Sequence, residues 1–292
     1  MKRTAFNIVE TALRPLRGLG FRKFAFVRWV LGALKPRRAI VRGRTMFLDP
    51  TDFVVSEEIS RGEYEQMETN TILKLVQPSD TIIDLGANIG YYTILFCDAA
   101  RAGRVHAFEP APQTFGFLQK NIQWNGLKNA SLYQIAIGER DGEAELFING
   151  FNKGDNRLYE SFGTKGVPVR VSKLDSVIPP GTKVDLIKMD IQGFEVHALR
   201  GMQRILHENH DLYIVAECYP KGLRRTGTPV EDFFALLEGN GFSWCVMDDE
   251  TGELRAISKE KFIERFPSNT DAYANLLLWR GKRLPKEIRR DL

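Results

Sequence analysis

Two acidic residues beside short apolar runs carry the clearest chemical signal in the chain. Asp84 lies within Thr81-Ile82-Ile83-Asp84-Leu85-Gly86-Ala87-Asn88-Ile89-Gly90-Tyr91-Tyr92-Thr93, which reads as a buried strand, a turn of small residues and a helix start. Gly86 and Gly90 let the backbone pass close to a ligand and open a helix whose N–H groups face it. Glu109 closes the next apolar run, where a carboxylate can accept both hydroxyls of a ribose. Together these residues predict a nucleoside-type cofactor. A dinucleotide loop needs its second glycine where Asn88 stands, because pyrophosphate approaches the backbone there. With Asn88 in the turn and Asp84 ahead of it to meet a cationic amino group, the segment suits an amino-acid tail and no phosphates. S-adenosylmethionine has that chemistry. Tyr91 and Tyr92 either wall such a cofactor or pack on the first helix.

Such a site needs a sheet whose strand ends share one edge. Strands are predicted over 81–86, 104–109, 131–137, 184–190, 212–218, 243–248 and 273–280, and helices over 90–100, 112–124, 194–207 and 230–239. Strands alternating with helices give an α/β fold, a parallel sheet covered on both faces. Only a loop and a short helical stretch near 259–266 join the last two strands, so an antiparallel final strand is expected. Residues 40–41 and 46–48 read as a short hairpin, 57–76 as a helical approach segment and 143–178 as an inserted β-hairpin region. In that insertion, Asn156, Arg157 and Tyr159 either hold a polar acceptor or belong to an exposed loop.

Four segments in register resemble a known family. They are Asp84 to Thr93, His106-Ala107-Phe108-Glu109-Pro110, Asn121 with Asn125-Gly126-Leu127, and Ile187-Lys188-Met189-Asp190-Ile191-Gln192-Gly193-Phe194-Glu195. In order and spacing they resemble the FkbM family of S-adenosylmethionine-dependent methyltransferases. Arg61-Gly62-Glu63-Tyr64-Glu65 resembles that family's approach segment, and the resemblance spans about residues 55–280. It implies a class I methyltransferase (Rossmann-like) fold, a seven-stranded sheet with the last strand antiparallel. It also implies cofactor contacts at Asp84, Gly86, Asn88, Gly90, Tyr91, Thr93 and Glu109. The family more often carries Glu where Gln192 stands. That departure removes a charge near the site and argues against a catalytic or metal role at 192.

Methyl transfer from a sulfonium is an in-line displacement, so an enzyme mainly aligns acceptor and methyl group. A sugar or aliphatic hydroxyl is a poor nucleophile and needs a base or a metal as its proton leaves. Asp190 ends the fourth strand and Glu217 the fifth, so both open onto one cleft, as bases or as joint oxygen ligands of a divalent ion. The bland alternatives are a helix cap for Asp190 and a structural acid beside Pro220 for Glu217. His197 suits a base by its pKa, although a packing histidine fits its place on the helix after Gly193. The expected activity is O-methylation of a hydroxyl on a sugar, glycan, glycolipid or secondary metabolite. The alternative is N-methylation of a peptide or side-chain amide, since the fold does not dictate the acceptor.

Charge and composition bound the remaining classes. Net charge is +4, but residues 1–44 carry twelve Lys/Arg against Glu10 alone, leaving an acidic body and a short basic tail. The expected organisation is a basic helical extension over 1–50, a methyltransferase domain over 51–282 and a tail over 283–292. Phe6, Val9, Leu13 and Leu16 repeat at helical spacing, and 21–34 reads as a second helix carrying Trp29. That pair either lies on an anionic membrane or caps the core. Its longest apolar piece is too short to span a bilayer, and no signal peptide precedes it, so a cytoplasmic, peripherally membrane-associated protein is expected. The basic arm also raises an RNA methyltransferase, but Asp190-Ile191-Gln192-Gly193 stands where an Asn-Pro-Pro-Tyr-type motif would be. A non-catalytic scaffold fits poorly with Asp84, Glu109 and Asp190 all present. Cys97, Cys218 and Cys245 are scattered in apolar runs and read as reduced, buried thiols. His207 and His210 lack a third ligand and read as surface residues.

Overall fold

The computed structural model describes residues 33, 35–62, 64–161, 163–248, 251–281 and 284. The helices expected over 6–16 and 21–34 and the basic tail therefore lie almost wholly outside the described residues.

The chain runs β1 (Arg38–Val41), β2 (Arg44–Phe47), α1 (Val55–Arg61), α2 (Gln66–Leu75), β3 (Thr81–Leu85), α3 (Tyr91–Ala99), β4 (Arg104–Phe108), α4 (Pro112–Trp124) and β5 (Ala130–Tyr133). An insertion follows, with β6 (Ala136–Ile137), β7 (Gly142–Leu146) and β8 (Val167–Ser172). Then come α5 (Leu174–Val177), β9 (Leu186–Met189), α6 (Glu195–Arg200), α7 (Gln203–Glu208), β10 (Leu212–Cys218), α8 (Pro220–Arg225), α9 (Val230–Gly239), β11 (Ser243–Asp248), β12 (Glu253–Ala256), α10 (Lys259–Arg265) and β13 (Ala274–Arg280).

The central sheet has eight strands in the order β12-β11-β13-β10-β9-β3-β4-β5. Strands β5, β4, β3, β9 and β10 are parallel, and β13 slots between β10 and β11 antiparallel to both. These are the seven expected strands with the last one antiparallel, extended by β12 as a hairpin partner of β11. From β3 the chain builds outward to β5, then returns to the other side of β3 at β9. This reversal of strand order leaves a crevice beyond the carboxyl ends of β3 and β9.

Three expected elements are broken, each for a local reason. The approach helix divides at Gly62 and Glu65, both left-handed with φ 76° and 39°. The strand expected over 131–137 ends at Tyr133, and Ala136–Ile137 joins β8 and β7 in a separate three-stranded sheet. The helix over 194–207 splits near Gly201, whose backbone lies against Gly138; a Cβ there would fall 2.0 Å from the Gly138 carbonyl oxygen.

Period-two alternation divides the strands between two cores. Ile82, Leu186, Tyr213 and Val215 face the side covered by α2, α3 and α4. Ile83, Leu85, Ile187, Met189, Ile214 and Ala216 face α6, α7 and α9. Asp84 and Lys188 interrupt the first set and stand directly opposite each other on β3 and β9. The first face of the sheet is therefore apolar along most of its length and charged at its carboxyl end.

Two asparagines one helical turn apart on α4 tie the β1–β2 hairpin to this body. Asn121 accepts from Phe47 N–H at 2.6 Å and donates to the carbonyls of Phe47 (3.1 Å) and Ile89 (2.7 Å). Asn125 accepts from Thr45 N–H at 3.2 Å and donates to the Thr45 carbonyl at 2.7 Å. The pair supplies β2 with the donors and acceptors that a neighbouring strand would provide. Asn121→Ala leaves three buried backbone groups unpaired and should cost about 2–4 kcal/mol in urea denaturation. A loss below about 0.5 kcal/mol would show that the hairpin is held by other contacts.

Candidate active site

A narrow cleft opens at the carboxyl ends of β3, β4 and β9, where the strand order reverses. The turn after β3 forms its floor. Gly86 and Ala87 both donate their N–H to the Phe108 carbonyl, at 3.0 and 2.9 Å. Gly86 has φ 81°, and a Cβ on it would lie 1.9 Å from the Asp190 carbonyl oxygen. Only glycine lets this turn cross the end of β9. Gly90, with φ 93°, caps α3.

Glu109 is buried at the end of β4 and anchors the turn. Its Oε2 accepts from Asn88 N–H at 3.0 Å and its Oε1 from Ala111 N–H at 2.9 Å. Each carboxylate oxygen can still accept a second hydrogen bond, the capacity a ribose diol requires. Burial pushes its pKa up to about 7, against the pull of the two N–H groups. Asn88 itself has φ 51° and turns its Oδ1 back onto Ile89 N–H at 2.7 Å.

Tyr91 and Tyr92 both line the cleft, packed edge to face with ring centroids 5.1 Å apart, and Tyr64 packs edge-on against Tyr91 at 4.9 Å. Asp84 and Thr93 do not line it. Thr93 Oγ1 donates to Asp84 Oδ2 at 2.6 Å beneath the turn, and burial raises the Asp84 pKa to about 6. Its cationic neighbour is Lys188, and its Oδ1 has no hydrogen-bond partner among the described residues, so Asp84 stands beneath the turn and not on the cleft wall. The period-two phase that sets Asp84 opposite Lys188 points it into the protein.

Beside this cleft lies a larger, more open chamber of about 890 Å³. The two cavities share Val55, Tyr64, Gly154, Asp190 and Gln192. Glu65 and Glu217 line only the outer one. Gln192 Nε2 donates to Asp190 Oδ1 at 2.8 Å and to Glu217 Oε1 at 2.9 Å, joining the ends of the two strands. Burial, then the charges of Asp190 and Glu195, hold the Glu217 pKa well above the usual carboxylate range. Burial, followed by the charge of Glu68, pushes Glu65 up to about 8, and its Oε2 has no hydrogen-bond partner among the described residues.

Asp190 and Glu217 are thus brought together as expected from their strand ends, with the Gln192 amide between them. His197 is not. Its Nε2 lies 3.2 Å from the Thr226 carbonyl, its Nδ1 3.5 Å from Glu139, and its ring stacks on Phe194, away from both cavities. The packing alternative holds, because α6 turns that face toward α8. Asn156 lines the inner cleft, whereas Arg157 pairs with Asp155 at 2.5 Å and lies near the rings of Tyr159 and Tyr219. Among the described residues, no group of three or more His, Cys, Asp or Glu is arranged to hold a metal ion. The three cysteines are free and buried.

Three residues were missed as site residues. Tyr64 and Glu65 come from the left-handed turn between α1 and α2, which no periodicity foretells. Lys188 carried a signal: a lysine in an apolar strand, in the same phase as Asp84 and Asp190. It lies 3.6 Å from Glu68 and 3.7 Å from Asp190, with its ammonium 4.4 Å from the centre of the Tyr92 ring.

Known proteins share this arrangement in sequence. The model of the methyltransferase FkbM domain matches residues 84–243, just over half of the chain. "Methyltransferase 1" of Beauveria bassiana is 28% identical over 192 residues, covering 58% of this chain and 75% of that protein. The hexuronic acid methyltransferase AglP of Haloferax volcanii is 23% identical over 144 residues, covering 49% and 58%. The crystal structure of M. jannaschii TYW2 in complex with AdoMet gives a TM-score of 0.44 at 15% identity, covering 84% of this chain and 88% of that one. The charged strand ends, the glycine turn and the matched domain agree: this chain belongs to the FkbM family of S-adenosylmethionine-dependent methyltransferases.

Proposed function

We propose that this enzyme O-methylates a hydroxyl of a sugar or glycan, with the donor in the inner cleft and the acceptor in the outer chamber. The observation that carries this reading is the position of Asp190, which lines both cavities at their junction. The name of the Haloferax relative, a hexuronic acid methyltransferase, supports a saccharide acceptor. The basic residues before Arg44 would suit a membrane-borne glycan. Among the described residues, no helix is long and apolar enough to cross a membrane.

Glu109, Asn88 and the Gly86–Gly90 turn fit a nucleoside: a carboxylate with spare acceptor capacity, and backbone that only glycine allows so close. Bound there, S-adenosylmethionine supplies an electrophilic methyl group. The protein's own residues do the rest. Tyr64, Tyr91 and Tyr92 wall the cleft, and Gln192 fixes the geometry of Asp190 and Glu217. One of those two carboxylates takes the hydroxyl proton as the oxygen is alkylated, so that no free alkoxide is needed. Lys188 holds a positive charge 3.7 Å from Asp190.

Transfer of an isotopically labelled methyl group to purified glycans should give an alkali-stable ether, identified by mass spectrometry. Label found only on nitrogen would overturn the reading. Glu109→Ala should weaken cofactor binding by roughly 10–100-fold in calorimetry, since hydrogen bonds to a charged group contribute about 1.5–3 kcal/mol each. An unchanged dissociation constant would remove Glu109 from the ribose. Asp190→Asn should lower kcat about 10²–10⁴-fold while leaving cofactor affinity within roughly threefold. Because burial holds the Glu217 pKa well above the normal carboxylate range, its ionisation as a base requires raised pH. If Glu217 is the acceptor, turnover should therefore climb as pH rises above that range, and a flat profile would exclude Glu217 as the rate-limiting proton acceptor.

A further inference from the structure

The β1–β2 hairpin turns one face inward and one outward. Ala39, Val41 and Met46 pack on the first core, so by period two Arg38 and Ile40 stand on the other side. Phe47, opposite Arg38 in register, is clamped there. The Arg38 guanidinium lies 4.6 Å from its ring centre, the Lys120 ammonium 3.9 Å, and Trp124 packs edge to face at 5.0 Å. Arg38 also lies 5.1 Å from the centre of the Trp124 ring. The described residues expose three large apolar side chains, and two belong to this face, Ile40 at 72% and Trp124 at 57%. Arg37, Arg38, Arg42 and Lys120 are exposed around them. In sequence, no Asp or Glu occurs over 11–48 or 111–129, the stretches that hold the hairpin and α4.

We propose that this face docks the protein on an anionic lipid bilayer, with Ile40 and Trp124 at the headgroup boundary and the four exposed cations on the lipid phosphates. Such docking rests on the reading of a membrane-borne glycan and supplies its landing surface.

Charge and aromatic content alone would suit RNA as well as lipid. Ile40 separates the two, because a branched aliphatic chain finds no partner on a phosphate backbone, whereas the acyl boundary takes it up. Tryptophan concentrates at that boundary, where its ring meets the apolar layer and its N–H meets water. Arg38 and Lys120 hold their cations against aromatic rings yet remain exposed, as amphipathic side chains at a headgroup layer do. The face also adjoins the outer chamber. Arg42, at the hairpin turn, donates to Asn70 Oδ1, and Asn70 lines the chamber. A side pocket lined by Ile40, Arg42, Gln66 and Asn70 meets the chamber at Gln66 and Asn70. A bilayer held by the hairpin therefore lies beside the chamber that a lipid-linked acceptor would enter.

The test measures co-sedimentation of the full chain with vesicles of phosphatidylcholine, with and without phosphatidylserine. The chain should bind the anionic vesicles, more weakly as salt rises, and bind the neutral ones at least about tenfold less. Each cation at an anionic surface strengthens binding about fivefold, so Arg37→Gln combined with Lys120→Gln should weaken it about 25-fold. Ile40→Ser, which leaves the charge intact, should weaken it about tenfold. All three positions are exposed and line neither the inner cleft nor the outer chamber, so S-adenosylmethionine affinity and thermal unfolding should match the unaltered chain. Failure of the full chain to bind anionic vesicles would overturn the proposal. Binding that neither change weakens would put the contact elsewhere in the chain and overturn it too. So would tighter binding to single-stranded RNA, lost with the two charges and indifferent to Ile40→Ser. A chain that docks as described yet methylates no glycan hydroxyl would uphold docking and overturn O-methylation. One that methylates a water-soluble glycan and ignores vesicles would do the reverse.

Discussion

One buried ammonium organises the site. Lys188 is 4% exposed, at the carboxyl end of the central parallel strands, with Asp84 opposite it on β3 and Glu68 above it on α2. Burial alone would lower its pKa, yet Glu68, Asp190, Glu65 and Asp84 together raise it. A single positive charge does not compensate so many carboxyls, because each ion taken from water costs several kcal/mol unless it is paired. The surplus is resolved by protons. Asp84 titrates near 6 and Glu65 near 8, in both cases first because of burial. The electrostatics of the methyl-transfer site thus follow from one lysine that a parallel strand carries inward.

That lysine also explains which parts of the site were legible in the sequence. Asp84, Glu109, Asp190 and Glu217 could be placed because strand ends in a parallel sheet share one edge, so counting apolar runs locates them. The direction of a side chain is a finer matter. Asp84 has the phase of Ile82, hence it points into the first core toward α3 and not out to the cleft. Glu65 reaches the outer chamber from a turn with φ 39°, a conformation that a glutamate seldom adopts and that its neighbours impose. The breaks in the approach segment and after Arg200 have the same origin. Tertiary contacts, such as Gly201 against Gly138, end helices that local periodicity would continue. His197 shows the converse. Its chemistry suits catalysis, but its helix aims it at Thr226 and Glu139.

Strain is distributed in a way that matches this division. Among the described residues, four that are not glycine have positive φ: Arg42, Glu65, Asn88 and Gln192. Three of these line the two cavities. Each such residue costs on the order of 1 kcal/mol or more, and persists where its surroundings hold it. The holding interactions are visible: Asn88 N–H on Glu109, the Gln192 amide on Asp190 and Glu217, and the ring of Tyr64, next to Glu65, against Tyr91. The groups that restrain the strained backbone are the same ones that line the two cavities or hold their walls. Relaxing Gln192 would separate Asp190 from Glu217, and relaxing Asn88 would release Glu109. The walls of the two cavities are thus joined by the same few hydrogen bonds, Asn88 to Glu109 and Gln192 to Asp190 and Glu217. An in-line displacement needs its two reactants closely aligned, and under the proposed reading Asp190 and Gln192, which line both cavities, are the residues through which one side can set the position of the other.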